Sequence, residues 1–145
     1  MRAGFGILIA AAATLVGAAT APAQETRDSP QKLSLELNKL ESRDGACRAY
    51  LVLDNPTDAT FDSFKLDLVL FGTDGIILRR MAVETAPLRA EKKVVKLFDI
   101  AGAACTDIGS VLVNDVIGCS NAQGERDDCI TGLKVGSRVS AQMTK

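Results

Sequence analysis

The amino-acid sequence predicts an all-β protein that folds as a sandwich of about seven strands. Three observations lead to this class. Short apolar runs alternate with polar residues at a period of two, and turn signals built from Asp, Asn, Gly and Pro separate them. No long stretch has a convincing helical period. A helix is possible only over 79–89 and 127–133, and Pro87 limits the length of the first of these helices.

The N-terminal residues have the pattern of a cleavable secretory signal peptide. Arg2 is the only charge, an apolar run extends from Phe5 to Val16, and Ala21-Pro22-Ala23 forms a small-residue cleavage site. The apolar run is shorter than the roughly 20 residues of a membrane anchor. We therefore expect a periplasmic or secreted protein without membrane insertion. Its predicted parts are a signal peptide over 1–23, a flexible polar leader over 24–31 and a β-sandwich domain over 32–145.

The strongest strand pattern lies between Phe64 and Phe71, where Leu66, Leu68 and Leu70 alternate with polar or outward positions. Asp74-Gly75 follows and predicts a tight turn into a hairpin. Similar patterns predict further strands over 33–38, 47–53, 76–83, 92–100, 108–117 and 133–142. Asn114-Asp115 breaks the period of its strand, and we favour a buried polar pair that satisfies backbone groups. A bulge or a strand end would also fit.

The four cysteines lie in the part of the chain that would be exported, where disulfides persist. Four cysteines allow three pairings, and the sequence alone does not choose among them. We favour Cys119 with Cys129, which flank a polar stretch, and therefore Cys47 with Cys105. A zinc site is the alternative, but the chain has no C-x-x-C pair and no histidine.

The hairpin sequence LDLVLFGTDG over 66–75 resembles the signature of FxLYD-type immunoglobulin-like domains, in which an alternating strand ends in an aromatic residue before an Asp-Gly turn. Phe71 takes the aromatic position, and Gly72 stands where that pattern usually has aspartate. The resemblance implies an immunoglobulin-like β-sandwich, stapled here by two disulfides, and a structural or interaction role.

Three other segments resemble a group of small exported proteobacterial proteins of unknown function. They are ACRAYLVLDN over 46–55, VKLFDI over 95–100 and C-x-x-I-G-x-V-L-V-N-D over 105–115. This resemblance covers most of the domain and implies export, but it brings no chemistry with it.

Composition excludes several classes of function. The chain carries 17 basic and 18 acidic residues, and loss of Arg2 with the signal peptide leaves a net charge of −2. Such a chain lacks the net positive charge that is typical of proteins that bind nucleic acid. Without histidine, Ser-His-Asp and Cys-His catalysis are excluded within the chain. We expect a non-catalytic protein without a cofactor, which binds a protein or another envelope component.

A group of acidic residues forms the candidate interaction loop. We expect it to bind a protein partner, and the alternative is that it binds a small ligand or calcium. Carboxylate oxygens suit hard cations, although the spacing over 121–128 is not that of an EF-hand. Solvated loop residues have the same composition. The candidate residues are Asp107, Glu125, Asp127 and Asp128.

A basic cluster precedes and enters the fifth predicted strand. Glu84 and Glu91 interrupt it, and lysines on an edge strand commonly guard against sheet-to-sheet pairing. The cluster is compatible with either that role or an acidic partner. It comprises Arg79, Arg80, Arg89, Lys92, Lys93 and Lys96.

Overall fold

The computed structural model describes residues 32–145, which form two packed β-sheets and confirm the predicted β-sandwich. The predicted signal peptide and leader lie outside the described residues. In chain order the elements are β1 Ser34–Arg43, β2 Ala46–Asn55, β3 Phe61–Gly72, β4 Ile77–Glu84, β5 Lys92–Ala101, a 3₁₀ turn Cys105–Asp107, β6 Ile108–Asn121, β7 Gly124–Glu125, α1 Cys129–Gly132, β8 Lys134–Ser137 and β9 Gln142–Thr144.

The first sheet has the strand order β5-β2-β1-β8, and the second has the order β4-β3-β6-β7 with β9 also paired to β6. Most pairings are antiparallel. The exceptions are β8, which lies parallel to β1, and β9, which lies parallel to the start of β6. Because β7 pairs with the far end of β6, β7 and β9 share one edge of that strand.

The inner faces of both sheets form one core, as the alternating pattern predicts. Leu51 and Leu53 of β2 are buried while Val52 between them is partly exposed. On β3, Phe64 is fully buried and lies edge-on to Phe61, with ring centroids 5.8 Å apart. Burial of these side chains supplies the main driving force for folding.

The single strand predicted over 133–142 is wrong, because the chain changes sheets in the middle of it. β8 pairs with the first sheet and β9 with the second. The Ser137 hydroxyl makes the crossing possible: it donates to the carbonyl of Ala141 at 2.6 Å and accepts from the amide of Val139 at 3.2 Å. Backbone groups that leave the first ladder therefore keep hydrogen-bond partners.

Of the two stretches in which a helix was possible, only the second contains one. Over 79–89 the chain forms β4, which ends at Glu84, so no helix begins there. The carboxylate of Glu84 accepts the amides of Phe64 and Ala86, both at 2.9 Å, and fixes the end of the strand. The second stretch contains α1, a single helical turn. Within 32–145 no helix has the length and apolar character needed to cross a membrane.

Both predicted disulfide pairings are confirmed. Cys47 of β2 is bonded to Cys105 in the 3₁₀ turn, with a Cα–Cα distance of 4.9 Å. Cys119 of β6 is bonded to Cys129 of α1, with a Cα–Cα distance of 6.6 Å. The first bond ties the first sheet to the connection that enters the second sheet, and the second closes the β6–α1 loop.

Candidate interaction surfaces

The acidic residues of the candidate interaction loop lie at opposite ends of one strand. Asp107 directly precedes β6, whereas Glu125 belongs to β7 and pairs with Ser120 near the end of β6. At about 3.3 Å per residue, these two ends are roughly 40 Å apart. The structure therefore brings Glu125, Asp127 and Asp128 to one loop and does not bring Asp107 to it.

In that loop, Asp128 already has a cationic partner. Arg126 donates to both of its carboxylate oxygens, at 2.9 and 2.6 Å, and these bonds lower the pKa of Asp128. A cleft of about 250 Å³ lies beside the pair and is also lined by Lys32 and Asp58. Among residues 32–145, no cluster of three or more carboxylate or cysteine side chains is placed to hold a metal ion.

The β3–β4 turn carries a different feature, which we name the hairpin tip and define as Ile76, Ile77 and Leu78. These three consecutive large aliphatic side chains are 66%, 59% and 44% exposed. Ile77 lies opposite Phe71 of β3, so the apolar surface continues from the tip onto the outer face of the second sheet. Large apolar side chains grouped on a surface are typical of interaction sites.

Three hydrogen bonds stabilise the turn that carries the hairpin tip. The amide of Gly72 donates to the carbonyl of Ile76 at 2.8 Å, and the Asp74 carboxylate accepts the amide of Ile76 at 3.0 Å. The amide of Thr73 donates to the carbonyl of Asp107 at 3.1 Å. Asp107 lies in the 3₁₀ turn that is disulfide-bonded to β2 of the first sheet. The β3–β4 turn, which belongs to the second sheet, is therefore also connected to the first sheet.

Close packing also fixes the base of this turn. At Gly109, a side-chain Cβ would lie 2.6 Å from the carbonyl oxygen of Gly72 and 2.9 Å from Cα of Thr73. Only glycine allows β6 to pass this close to the turn. The hairpin tip is therefore displayed on a rigid base.

The sequence predicts the turn but not the exposure of the hairpin tip. A signal was present, because three consecutive aliphatic residues after Asp74-Gly75 have no period of two and cannot all face a core. The pattern instead led to a strand from Ile76 onward, and β4 does begin at Ile77.

The outer face of the first sheet carries a second apolar feature, which we name the apolar strip. On β5, Val95 and Leu97 are 54% and 50% exposed. They lie opposite Val52 and Tyr50 of β2, and the four side chains form the strip. In the sequence, Val95 and Leu97 alternate with Val94 and Phe98, but this pattern does not indicate which of the two sets is exposed.

Ion pairs border the apolar strip. At one end, Arg48 donates to both oxygens of Asp99, at 2.7 and 2.9 Å. At the other end, the ammonium of Lys93 lies 3.2 Å from the Asp54 carboxylate. Each of these pairs joins β2 to β5, so the strip is flanked along the strands by opposite charges.

A hydrogen-bonded group borders the strip on the side of β1. The Tyr50 hydroxyl donates to the Glu41 carboxylate, and Lys39 lies 3.1 Å from the same carboxylate. The Tyr50 and Lys39 donors lower the pKa of Glu41 to about 2. The ammonium of Lys39 also lies 5.0 Å from the centre of the Tyr50 ring, within range of a cation–π interaction.

On the outer face of the second sheet, the Asp67 carboxylate is buried, with only 5% of its side chain exposed. Arg80 donates to both oxygens, at 2.9 and 2.8 Å, and Asn114 donates to one of them at 2.7 Å. Asn114 is the extra residue of a bulge in β6, which confirms the alternative of a bulge. The favoured interpretation, a buried polar pair, is wrong, because Asn114 and Asp115 are exposed and Asp67 is the buried polar residue.

This network predicts an acid-dependent loss of stability. Hydrogen bonds from Arg80 and Asn114 hold the pKa of Asp67 below its ordinary value of 3.8. Its contribution is therefore fully present above about pH 4 and is lost as the pH falls through the lower pKa of the folded state. In urea unfolding from about pH 5 to about pH 2, we expect Asp67→Asn to show a smaller loss of stability than the unmodified protein.

The control for that experiment is Asp62→Asn on the same strand. Asp62 is exposed and has no ion pair among the described residues, so this variant should follow the unmodified protein across the pH range. An equal acid response of Asp67→Asn and the unmodified protein would contradict the assignment.

Comparison of the chain with models of protein families, with curated proteins and with solved structures found no match. The FxLYD resemblance of the β3–β4 hairpin therefore remains a prediction.

Proposed function

We propose that this chain is an exported, non-catalytic module that binds another envelope protein through the hairpin tip. The observation that carries the proposal is the exposure of Ile76, Ile77 and Leu78 on a turn anchored by hydrogen bonds and a disulfide. A rigid apolar loop binds with little loss of conformational entropy, because its bound shape is already formed.

Two further observations support the proposal. Disulfides persist in oxidising compartments, and both cysteine pairs of this chain are bonded. The chain also lacks histidine, the most common general base, which favours binding over catalysis. An apolar pocket on a protein suits the hairpin tip, because three aliphatic side chains are presented together on a hydrogen-bonded turn.

Site-specific photocrosslinking in the native host tests this proposal. We replace Ile77 with p-benzoylphenylalanine and, as a matched control, place the same group at Asp62, an exposed position at the other end of β3. We expect one discrete protein adduct from position 77 and none from position 62. No adduct at position 77, or the same adducts from both positions, would refute binding through the tip.

Competition establishes that the adduct depends on the apolar side chains. Excess unmodified protein added to the envelope fraction should suppress the adduct at position 77. The double variant Ile76→Ser/Leu78→Ser should not suppress it, because it lacks most of the apolar surface of the tip. Both side chains are exposed, so this variant should fold normally. Equal competition by the two proteins would contradict the proposed role of the tip.

A further inference from the structure

The outer edge of the first sheet has the form of a pairing surface. β5 pairs with β2 in an unbroken register over ten residue pairs, from Ala46 opposite Ala101 to Asn55 opposite Lys92. Within residues 32–145, no strand pairs with the other side of β5. Its unpaired backbone donors and acceptors therefore form a long, regular edge of the kind that accepts another strand.

The outward residues of β5 are complementary to their own reverse order. Along the strand they include Lys93, Val95, Leu97 and Asp99, which places a positive charge towards one end, a negative charge towards the other and two exposed aliphatic residues between them. An antiparallel copy of the same strand reverses this order. It can therefore place each charge opposite its opposite and each aliphatic residue opposite an aliphatic residue.

We propose that two copies of this chain pair antiparallel through β5, with a two-fold axis at Lys96, to form one continuous eight-stranded sheet. In this register Lys93 lies opposite Asp99 of the second copy, and Val95 lies opposite Leu97 of the second copy. The interface is isologous, as a two-fold axis requires.

Neighbouring registers lose this complementarity. A shift by one residue places outward side chains opposite inward ones. With the axis at Leu97, Val95 would face Asp99, and with the axis at Val95, Leu97 would face Lys93. Only the axis at Lys96 matches both the charges and the aliphatic side chains.

The same register joins the rows of side chains across the two copies. The ion pair of Arg48 with Asp99 is extended by Lys93 and Asp54 of the second copy, so charges alternate in sign along the row. Beside it, Tyr50 and Leu97 are followed by Val95 and Val52 of the second copy. The apolar strips of both copies thus become one apolar surface bordered by alternating charges.

The two copies of Lys96 face each other on the axis, which is the unfavourable contact of this arrangement. The ammonium of Lys96 donates to the carbonyl of Ala86 of its own chain at 3.2 Å. That bond carries its charge away from the axis and towards the connection between β4 and β5. The repulsion limits the affinity without preventing the pairing.

Cysteine crosslinking of the purified, oxidised protein tests the register. Opposed residues in an antiparallel pair have Cα atoms about 4.5 to 5.5 Å apart, within the range of a disulfide. The variant Lys96→Cys should therefore form a disulfide-linked dimer on a non-reducing gel. Val95→Cys is the matched control, because its two copies lie on a diagonal at about 7 to 8 Å and should remain largely monomeric. Peptide mapping of both variants checks that the native disulfides are intact.

Sedimentation equilibrium tests the association without added cysteines. We expect a concentration-dependent dimer and at least a tenfold higher dissociation constant for Leu97→Glu, which places a charge in the joined apolar surface. Leu97 is half exposed, so this variant should keep the circular dichroism spectrum and thermal unfolding of the parent. A protein that stays monomeric up to about 1 mM, the weak end of specific association, would overturn the proposal. Equal crosslinking of Lys96→Cys and Val95→Cys, or an unchanged dissociation constant for Leu97→Glu, would overturn it as well.

Discussion

Replacement of Cys47 and Cys105 together by alanine is expected to lower the free energy of unfolding by about 4 kcal/mol. The two residues are 58 positions apart, so their bond restricts the unfolded chain more than a local crosslink does. The second disulfide spans only 10 positions, and the variant Cys119→Ala/Cys129→Ala should lose about 3 kcal/mol. We therefore predict a larger loss for the Cys47–Cys105 variant than for the Cys119–Cys129 variant, because the conformational entropy that a disulfide removes from the unfolded chain grows with the length of the closed loop.

Urea unfolding followed by circular dichroism, with no reductant present, measures both losses. Each double variant is the control for the other, since each removes two thiols and one crosslink. Reduction of the unmodified protein should remove both contributions together, about 7 kcal/mol, which is roughly half or more of the 5 to 15 kcal/mol that is usual for a domain. A larger loss from the Cys119–Cys129 variant would show that native packing, rather than loop length, decides the contribution.

The order of strands could be predicted from the sequence because burial alternates with the pleat. Leu66, Leu68 and Leu70 all face the core, and the turn at Asp74-Gly75 closes the hairpin where the residue types indicate. The disulfide pairing that we favoured is also correct, although the sequence alone left three pairings open. The preference depended on Cys119 and Cys129, which flank a short polar loop. Both cases depend on local signals, which a sequence displays directly.

The change of sheets near the C-terminus could not be predicted in the same way. Leu133 and Ala141 are both buried, although they belong to segments that approach different sheets. Both sheets bury their inner faces in one core, so a strand that crosses between them keeps the same alternation. Periodicity indicates which side chains face the core but not which sheet the backbone joins.

The candidate site was harder to predict than the fold for a related reason. Both disulfide pairings are correct, but they do not bring Asp107 and Glu125 together. Cys47–Cys105 lies near the start of β6 and Cys119–Cys129 near its end, and each carboxylate lies close to a different one of these bonds. The exposure of a side chain also depends on which other parts of the folded protein cover it. An outward apolar residue such as Leu97 has the same sequence pattern whether solvent or another layer covers it.

The substitution Asn55→Asp is expected to destabilise the domain by at least about 3 kcal/mol at neutral pH, because it places a carboxylate among buried carbonyl groups. Asn55 is 1% exposed. Its amide nitrogen is the donor to the carbonyls of Ala59, Leu88 and Arg89, at 2.8, 3.1 and 3.0 Å. Its oxygen accepts the amide and hydroxyl of Thr57, at 3.1 and 2.7 Å. The side chain thus connects the end of β2 to the segment that leads into β5.

An ionised aspartate keeps the acceptor of this side chain and loses its donor, so three carbonyl oxygens would face a negative charge. Its pKa should therefore be raised in the folded variant, and the destabilisation should decrease as the pH falls and the carboxyl group gains a proton. Asn38→Asp makes the same chemical change at an exposed position of β1 and should alter stability by less than about 1 kcal/mol. Urea unfolding of both variants at about pH 7 and about pH 4 separates the effects. A loss for Asn55→Asp that is small, or that does not depend on pH, would mean that the buried amide does not connect these segments as the hydrogen bonds indicate.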